Sequence, residues 1–307
     1  MPYNTTPQAS VRKGNTGMQN FTGPKGKIVK ILGVPKGTEI ATKTLALTLA
    51  TWTANLNATM ASRWLMFPIV IDIEAPDPAI KYDETGYGNK EFVTVDKPVV
   101  TYFLESMSTY NKVQLNQNDL ASLDFYEITE YDKICGWTSD SVKFLPYTTN
   151  SVKILPESKQ TGDKLPRIKV EITYNDISQF NGKEVVIDPT VDSEAPAAWY
   201  PTYELKGVKD IIFAVSGGSA TGFTLVASGF DGTPVSGLVK EDLLIYKSTA
   251  PTVAIAATGC PESNSIPGQY AVTYATQTAG TFAVSMRQPD ATTMFFETPS
   301  SVSLIWS

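Results

Sequence analysis

The chain of 307 residues contains no histidine and two cysteines, and these shortages exclude several kinds of chemistry. Without an imidazole, it lacks Ser-His-Asp and Cys-His nucleophiles, histidine metal ligands and the most common general base. Cys135 and Cys260 are far apart in the sequence, which disfavours a disulfide framework and a zinc cluster and predicts two buried or half-buried free thiols. A hydrolase that relies on a pair of carboxylates is still compatible with this composition.

Charged residues and long hydrophobic runs are also scarce. Only 18% of the residues are Asp, Glu, Lys or Arg, so Thr, Ser, Asn and Gln must cover much of the surface. The longest apolar run, residues 64–71, is interrupted by Pro68 and is too short to span a bilayer. The first residues lack the apolar core of a signal peptide. We therefore expect synthesis in a cytoplasm and no membrane partner.

The net charge of −6 hides an uneven distribution. The first 38 residues contain no acidic residue and six basic ones, namely Arg12, Lys13, Lys25, Lys27, Lys30 and Lys36. A basic arm over residues 1–26 could dock on the more acidic body of a neighbouring copy, and a solvated flexible tail is the alternative. The negative charge of the whole chain disfavours a nucleic-acid binder.

Alternation of apolar and polar residues indicates a mainly β protein. Residues 167–175 alternate strictly, with Ile168, Val170, Ile172 and Tyr174 on the predicted buried side. Residues 205–307 read as seven or eight short strands without a helix, and turn signals recur about every ten residues, as expected for an immunoglobulin-type sandwich. The alternating apolar positions there are Phe223, Leu225, Ala227, Tyr270, Val272, Tyr274, Phe282, Val284, Met286, Val302, Leu304 and Trp306.

A helix and a hairpin are predicted in the first half of the chain. A helix over residues 44–62 would place one apolar stripe on a sheet. The stripe consists of Leu45, Leu49, Trp52, Leu56 and Met60. Residues 80–84 and 90–95 predict a β-hairpin around a glycine-rich tip at 85–89.

The predicted domain organisation follows from these patterns. Residues 1–26 form a flexible basic arm, and residues 27–187 form a β-rich assembly domain with a sandwich-like or barrel-like body and one flanking helix. The proline-containing stretch 188–204 reads as a linker. Residues 205–307 form a C-terminal immunoglobulin-like β-sandwich.

Motifs that would carry chemistry are weak. The glycine-rich segment 216–222 lacks a following Lys-Ser/Thr pair and helix, so it predicts a hairpin turn rather than a phosphate site. Asp188, Asp192 and Glu194 could bind calcium, although a plain acidic linker is the favoured interpretation. We therefore predict no enzymatic activity, no catalytic residue, no metal and no cofactor.

A short segment and the order of the predicted parts together resemble a known class of proteins. Residues 229–238, with the sequence GFDGTPVSGL, resemble bacterial and phage immunoglobulin-like repeats of the invasin type. A β-rich body with one helix, a basic arm, a glycine-tipped hairpin and this C-terminal module resembles virion proteins of tailed bacteriophages. The similarity is greatest to major tail tube proteins with an appended immunoglobulin-like domain.

The resemblance implies a structural role. In that family, hexameric rings join their sheets into a continuous tube, arms and loops connect stacked rings, and an acidic lumen lets DNA pass as a non-specific cargo. It implies that the partners are further copies of the chain and other virion proteins, and that the protein is made in the host cytoplasm and resides in the virion. Candidate residues of the lumen or of inter-ring loops are Asp83, Glu84, Glu91 and Asp96, and candidate inter-subunit residues of the arm are Arg12, Lys13, Lys25 and Lys27.

Two other functions remain open at this point. One is a capsid decoration or head-fibre protein with an immunoglobulin-like tip, which would need no stacked ring. The other is a carbohydrate-binding protein or a carbohydrate-active enzyme, whose carboxylates would lie roughly 5–10 Å apart in a cleft.

Overall fold

A computed structural model of the chain shows a mainly β fold in two compact units. It describes residues 26–58, 62–76, 78–84, 90–105, 120–155, 167–180, 183–230, 232–286, 296–298 and 300–306. The first unit lies within residues 1–56 and 62–206, and the second unit lies within residues 57–61 and 207–307.

The described part of the first unit contains eleven strands, all paired antiparallel. They are β1 Ile28–Pro35, β2 Leu65–Met66, β3 Val70–Glu74, β4 Ile80–Glu84, β5 Lys90–Val95, β6 Val99–Leu104, β7 Leu123–Thr129, β8 Ile134–Trp137, β9 Thr149–Leu155, β10 Ile168–Tyr174 and β11 Glu184–Ile187. A five-stranded sheet has the order β11-β8-β7-β1-β2, and a four-stranded sheet has the order β3-β6-β10-β9. Strands β4 and β5 pair with each other, which confirms the predicted hairpin.

The five-stranded sheet is the middle layer of the first unit. Every residue of β7 is buried, because both faces of this strand are covered. On one face, Tyr126 and Ile128 pack with Trp52 of the helical layer. On the other face, Phe125 packs in a core with residues of the four-stranded sheet such as Val170. The alternation predicted for residues 167–175 is confirmed along β10.

The predicted single helix over 44–62 is wrong, because the chain forms two short helices there. These are α1 Lys43–Ala46, capped by the Thr42 hydroxyl, and α2 Leu49–Leu56. The hydroxyl of Thr48, between the helices, donates to the Thr44 carbonyl oxygen at 2.7 Å, a local bond that competes with helical pairing. Trp52 and Leu56 are buried as expected, whereas Leu45 is 45% exposed and Met60 lies outside the described residues.

Residues 188–204, predicted as a linker, instead belong to the first unit. Trp199 is buried, and its indole nitrogen Nε1 donates to the Leu47 carbonyl oxygen at 2.7 Å. A third short helix, α3 Pro201–Glu204, is held by Lys30, whose Nζ donates to the Thr202 carbonyl oxygen at 2.6 Å. Three prolines suggested an independent connector, but the buried Trp199 fixes the segment to the body.

The second unit contains nine strands in its described residues, one or two more than predicted. They are β12 Lys209–Ser219, β13 Gly222–Gly229, β14 Leu243–Lys247, β15 Ala250–Ile255, β16 Ala257–Gly259, β17 Gln269–Tyr274, β18 Gly280–Met286, β19 Phe296–Glu297 and β20 Val302–Trp306. One sheet has the order β16-β17-β13-β12-β19, and the other has the order β15-β14-β18-β20. Apart from β19, which pairs parallel to β12, this is the strand order of an immunoglobulin-type sandwich, D-E-B-A against C′-C-F-G.

The core of the second unit follows the predicted alternation. Phe223, Leu225 and Ala227 of β13 face the same core as Phe282 and Val284 of β18. The glycine-rich segment 216–222 contains the turn between β12 and β13, as predicted, with Ser219 opposite Gly222.

Candidate functional site

Among the described residues, no other sheet covers the outer face of the four-stranded sheet of the first unit, and its edge strands β3 and β9 pair with no further strand. A single row of paired residues crosses this sheet. Glu74 of β3 lies opposite Thr101 of β6, Thr101 lies opposite Glu171 of β10, and Glu171 lies opposite Lys153 of β9. The alternate residues of these strands, such as Tyr102 and Val170, are buried between the sheets. The row therefore lies on the outer face, with an acidic residue at the β3 edge and a basic residue at the β9 edge.

Charged side chains of both signs occupy this outer face. Lys153 Nζ lies 3.6 Å from Glu171 Oε1, and Arg167 Nη1 lies 3.4 Å from Asp72 Oδ2. The Lys169 ammonium lies 5.2 Å from the centre of the Phe103 ring. Lys153 is 63% exposed at its side chain, so the basic end of the row is accessible.

The two edge strands run in opposite directions. In the order β3-β6-β10-β9, each strand runs antiparallel to its neighbour. The first and fourth strands, β3 and β9, therefore run in opposite directions. A second copy of the sheet, related by rotation about an axis parallel to the strands, would therefore place its β3 antiparallel to β9 of the first copy.

The backbone hydrogen-bond pattern also matches at these two edges. The Ile73 amide of β3 donates to Asp72 Oδ1 at 2.9 Å, so it points away from β6. Along an antiparallel strand, the backbone groups of successive residues point alternately to one neighbouring strand and to the other. Followed across the sheet from Ile73 through the paired residues of β6 and β10, this alternation makes Val152 and Ile154 the residues of β9 whose backbone groups point outward. Pairing of either residue with Ile73 of another copy would place Lys153 opposite Asp72 or Glu74 of that copy.

The hairpin β4–β5 carries the acidic residues predicted for a lumen or an inter-ring loop. Its register places Asp83 opposite Glu91 and Glu84 opposite Lys90, and the amide of Asp96 closes its base by donating to the Ala79 carbonyl oxygen at 2.9 Å. The predicted tip at residues 85–89 lies outside the described residues.

Of the four basic residues predicted for the arm, the structure describes Lys27. Its ammonium donates to the Ile71 carbonyl oxygen of β3 at 2.7 Å, and its amide donates to Glu130 Oε1 at 3.1 Å. Lys27 is thus held by its own subunit. Arg12, Lys13 and Lys25 lie outside the described residues.

Two of the three acidic residues considered for calcium form ion pairs with one lysine. Lys43 Nζ lies 2.8 Å from Asp192 Oδ2 and 3.6 Å from Glu194 Oε2. Asp188 accepts from the Thr190 amide at 3.1 Å, so its carboxylate stabilises a turn. Among the residues that the structure describes, no group of three or more Asp, Glu, Cys or His side chains could hold a metal ion.

Hydroxyl and carboxylate groups form buried contacts between the two sheets of the first unit. The Tyr102 hydroxyl donates to Glu127 Oε1 at 2.6 Å and lies 2.8 Å from the Tyr174 hydroxyl. The Tyr147 hydroxyl donates to Glu184 Oε1 at 2.6 Å. Burial, together with the nearby Glu127 charge, raises the pKa of Tyr102 and of Tyr147 well above the ordinary value. These phenols therefore stay protonated and act as donors inside the core.

Both cysteines are free thiols, as predicted. Cys135 is buried and Cys260 is half-buried. Burial and, to a smaller extent, the Asp242 charge raise the pKa of Cys260 to about 11, which keeps this thiol protonated and unreactive near neutral pH.

The edge residues Glu74 and Lys153 were missed from the sequence, since their positions depend on the strand order. Their only local signal was a charge on the polar side of each strand. No described helix has both the length and the apolar character needed to cross a membrane. Models of known protein families do not match the chain, and neither does any curated protein.

Proposed function

We propose that the chain is a self-assembling structural protein that forms the tail tube of a bacteriophage as stacked rings. One relationship carries the proposal: β3 and β9 are antiparallel edges of one sheet with matching outward backbone groups and opposite charges. An unpaired edge is a liability for an isolated subunit, and pairing with the next copy removes it. Head-to-tail repetition of one such contact closes into a ring when the rotation permits.

The hairpin supports the part of the proposal that concerns DNA. Asp83, Glu84, Glu91 and Asp96 are concentrated in or directly after a two-stranded sheet that pairs with neither large sheet in the described residues. Carboxylates that face a channel repel phosphate, whereas basic residues would bind it tightly. In the proposed tube these four residues line the lumen or the contact between rings, and the immunoglobulin-like unit lies on the exterior.

Electron microscopy of the purified protein at high concentration tests the proposal. We expect rings or tubes with an open channel. Discrete monomers or trimers at every concentration would contradict a tube, and binding of those species to capsids would favour a decoration protein instead.

Cysteine cross-linking tests the edge contact itself. The double variant Glu74→Cys/Lys153→Cys should give a ladder of disulfide-linked oligomers under mild oxidation, because adjacent copies would bring the two positions together. The two single variants are the controls and should give no ladder beyond dimers. Tubes that form without a ladder, in this variant and in Asp72→Cys/Lys153→Cys, would show that other surfaces close the ring.

A further inference from the structure

Charged side chains of the same subunit cap the β3 edge. Lys27 Nζ donates to the Ile71 carbonyl oxygen at 2.7 Å, and Asp72 Oδ1 accepts from the Ile73 amide at 2.9 Å. Ile71 is the bulged residue between the positions that pair with Leu104 and Phe103 of β6. The capped groups are therefore backbone groups that the four-stranded sheet does not use.

The β9 edge, by contrast, carries no such side-chain cap in the described residues. In the described residues, no side chain hydrogen-bonds to the outward backbone groups of Val152 or Ile154 on β9. The two edges that would meet in a ring are thus unequal, one capped and one open. Charged residues, bulges and side-chain contacts are ways in which proteins prevent edge strands from pairing.

Lys27 connects this cap to the start of the chain. Its backbone is fixed by Glu130, whose amide donates to the Lys27 carbonyl oxygen at 2.8 Å, while its side chain reaches from the start of β1 to β3. Lys27 also directly follows residues 1–26, the segment predicted to contact a neighbouring copy.

We propose that Lys27 is a lock on assembly: its ammonium keeps β3 unpaired in the free subunit and must leave the Ile71 carbonyl before β9 of another copy can pair there. This inference rests on the proposed function and specifies how its edge contact is regulated. It reverses the role first assigned to Lys27, since a lock opposes assembly in the free subunit whereas an inter-subunit contact would promote it.

The test compares critical concentrations for assembly, measured by light scattering and sedimentation. Lys27→Met removes the donor, and we expect assembly at a concentration about three- to ten-fold lower than that of the parent, because one charged hydrogen bond no longer competes. Lys27→Arg retains a donor and should stay close to the parent. Lys240→Met, which removes a surface lysine of the second unit, is the control for the loss of one charge.

The outcomes separate the lock from the function on which it rests. An unchanged or raised critical concentration in Lys27→Met would overturn the lock while leaving tube formation intact. A parent protein that assembles at no concentration would overturn both. Circular dichroism checks folding first, and Lys27→Leu, which also lacks a donor, replaces Lys27→Met if the latter is unfolded, with the same expected direction.

Discussion

Glu74 and Lys153 stand at the two ends of one row of paired residues that crosses the four-stranded sheet of the first unit. If neighbouring copies join these edges, Lys153→Glu places like charges at the contact. We expect its critical concentration for assembly to rise about two- to five-fold, in keeping with the size of exposed ion pairs. The double variant Lys153→Glu/Glu74→Lys should restore assembly to near the parental concentration.

A matched control for this charge reversal is Lys240→Glu, at an exposed ion pair of the second unit with Glu241. It changes the net charge equally and should leave assembly close to that of the parent. Light scattering at two salt concentrations provides the measurement, because screening should reduce the difference between parent and Lys153→Glu. A double variant that assembles no better than the single variants would argue against contact between the two edges.

The buried phenols predict a loss of stability at alkaline pH. Burial raises the pKa of Tyr102 and of Tyr147 in the folded state, whereas both groups in the unfolded chain titrate near the ordinary value of about 10. The folded state therefore holds more protons above that pH. Their contribution to stability is fully present below pH 10 or so and is lost as the pH rises towards the raised values. Urea unfolding at several pH values between 8 and 11 should show this decline.

The variant Tyr102→Phe assigns part of that decline to one residue. It removes the hydrogen bond to Glu127, and we expect a loss of about 1–3 kcal/mol in the free energy of unfolding at neutral pH. Above pH 8, the free energy of unfolding should fall less steeply with pH than in the parent, because one phenol with a raised pKa has been removed. Tyr203→Phe, at a tyrosine that is 74% exposed, should change neither quantity.

The burial of the Trp199 indole leads to a prediction about what holds residues 188–204 on the first unit. Trp199→Ala removes a buried ring that packs with Trp52 and donates to the Leu47 carbonyl oxygen. We expect a loss of about 3–5 kcal/mol in the free energy of unfolding. Trypsin should also cut faster at Lys206. The neighbouring variant Tyr200→Ala, at a residue that is 52% exposed, should have little effect, and equal effects of the two variants would contradict the anchoring role of Trp199.

The sequence predicted those parts of the fold that depend on neighbouring residues. The alternation in β10 and β13 predicted strands correctly, because one face of each strand is buried and the other is more exposed to solvent. The hairpin of residues 80–95 was also predicted with its correct bounds, since its signal is a glycine-rich tip between two short runs. Local pattern was sufficient in both cases.

Features that depend on distant residues were not predicted. The indole of Trp199 bonds to Leu47, and no pattern within residues 188–204 indicates that partner. The interruption of the predicted helix between Ala46 and Leu49 was also missed, because the apolar stripe continues across it. Glu74 and Lys153 became candidates only when the strand order placed them at opposite edges of one sheet.

The acidic hairpin leads to a prediction about DNA passage. In assembled tubes, the variant Asp83→Asn/Glu84→Gln/Glu91→Gln/Asp96→Asn should retain short double-stranded DNA at low salt, whereas parental tubes should not, because the repulsion of phosphate by carboxylates is removed. Co-sedimentation of labelled DNA provides the measurement, and retention should disappear as salt is raised. A control variant that neutralises Glu241, Asp242, Glu262 and Glu297 of the second unit should behave like the parent. Equal retention by the two variants would place the hairpin outside the channel.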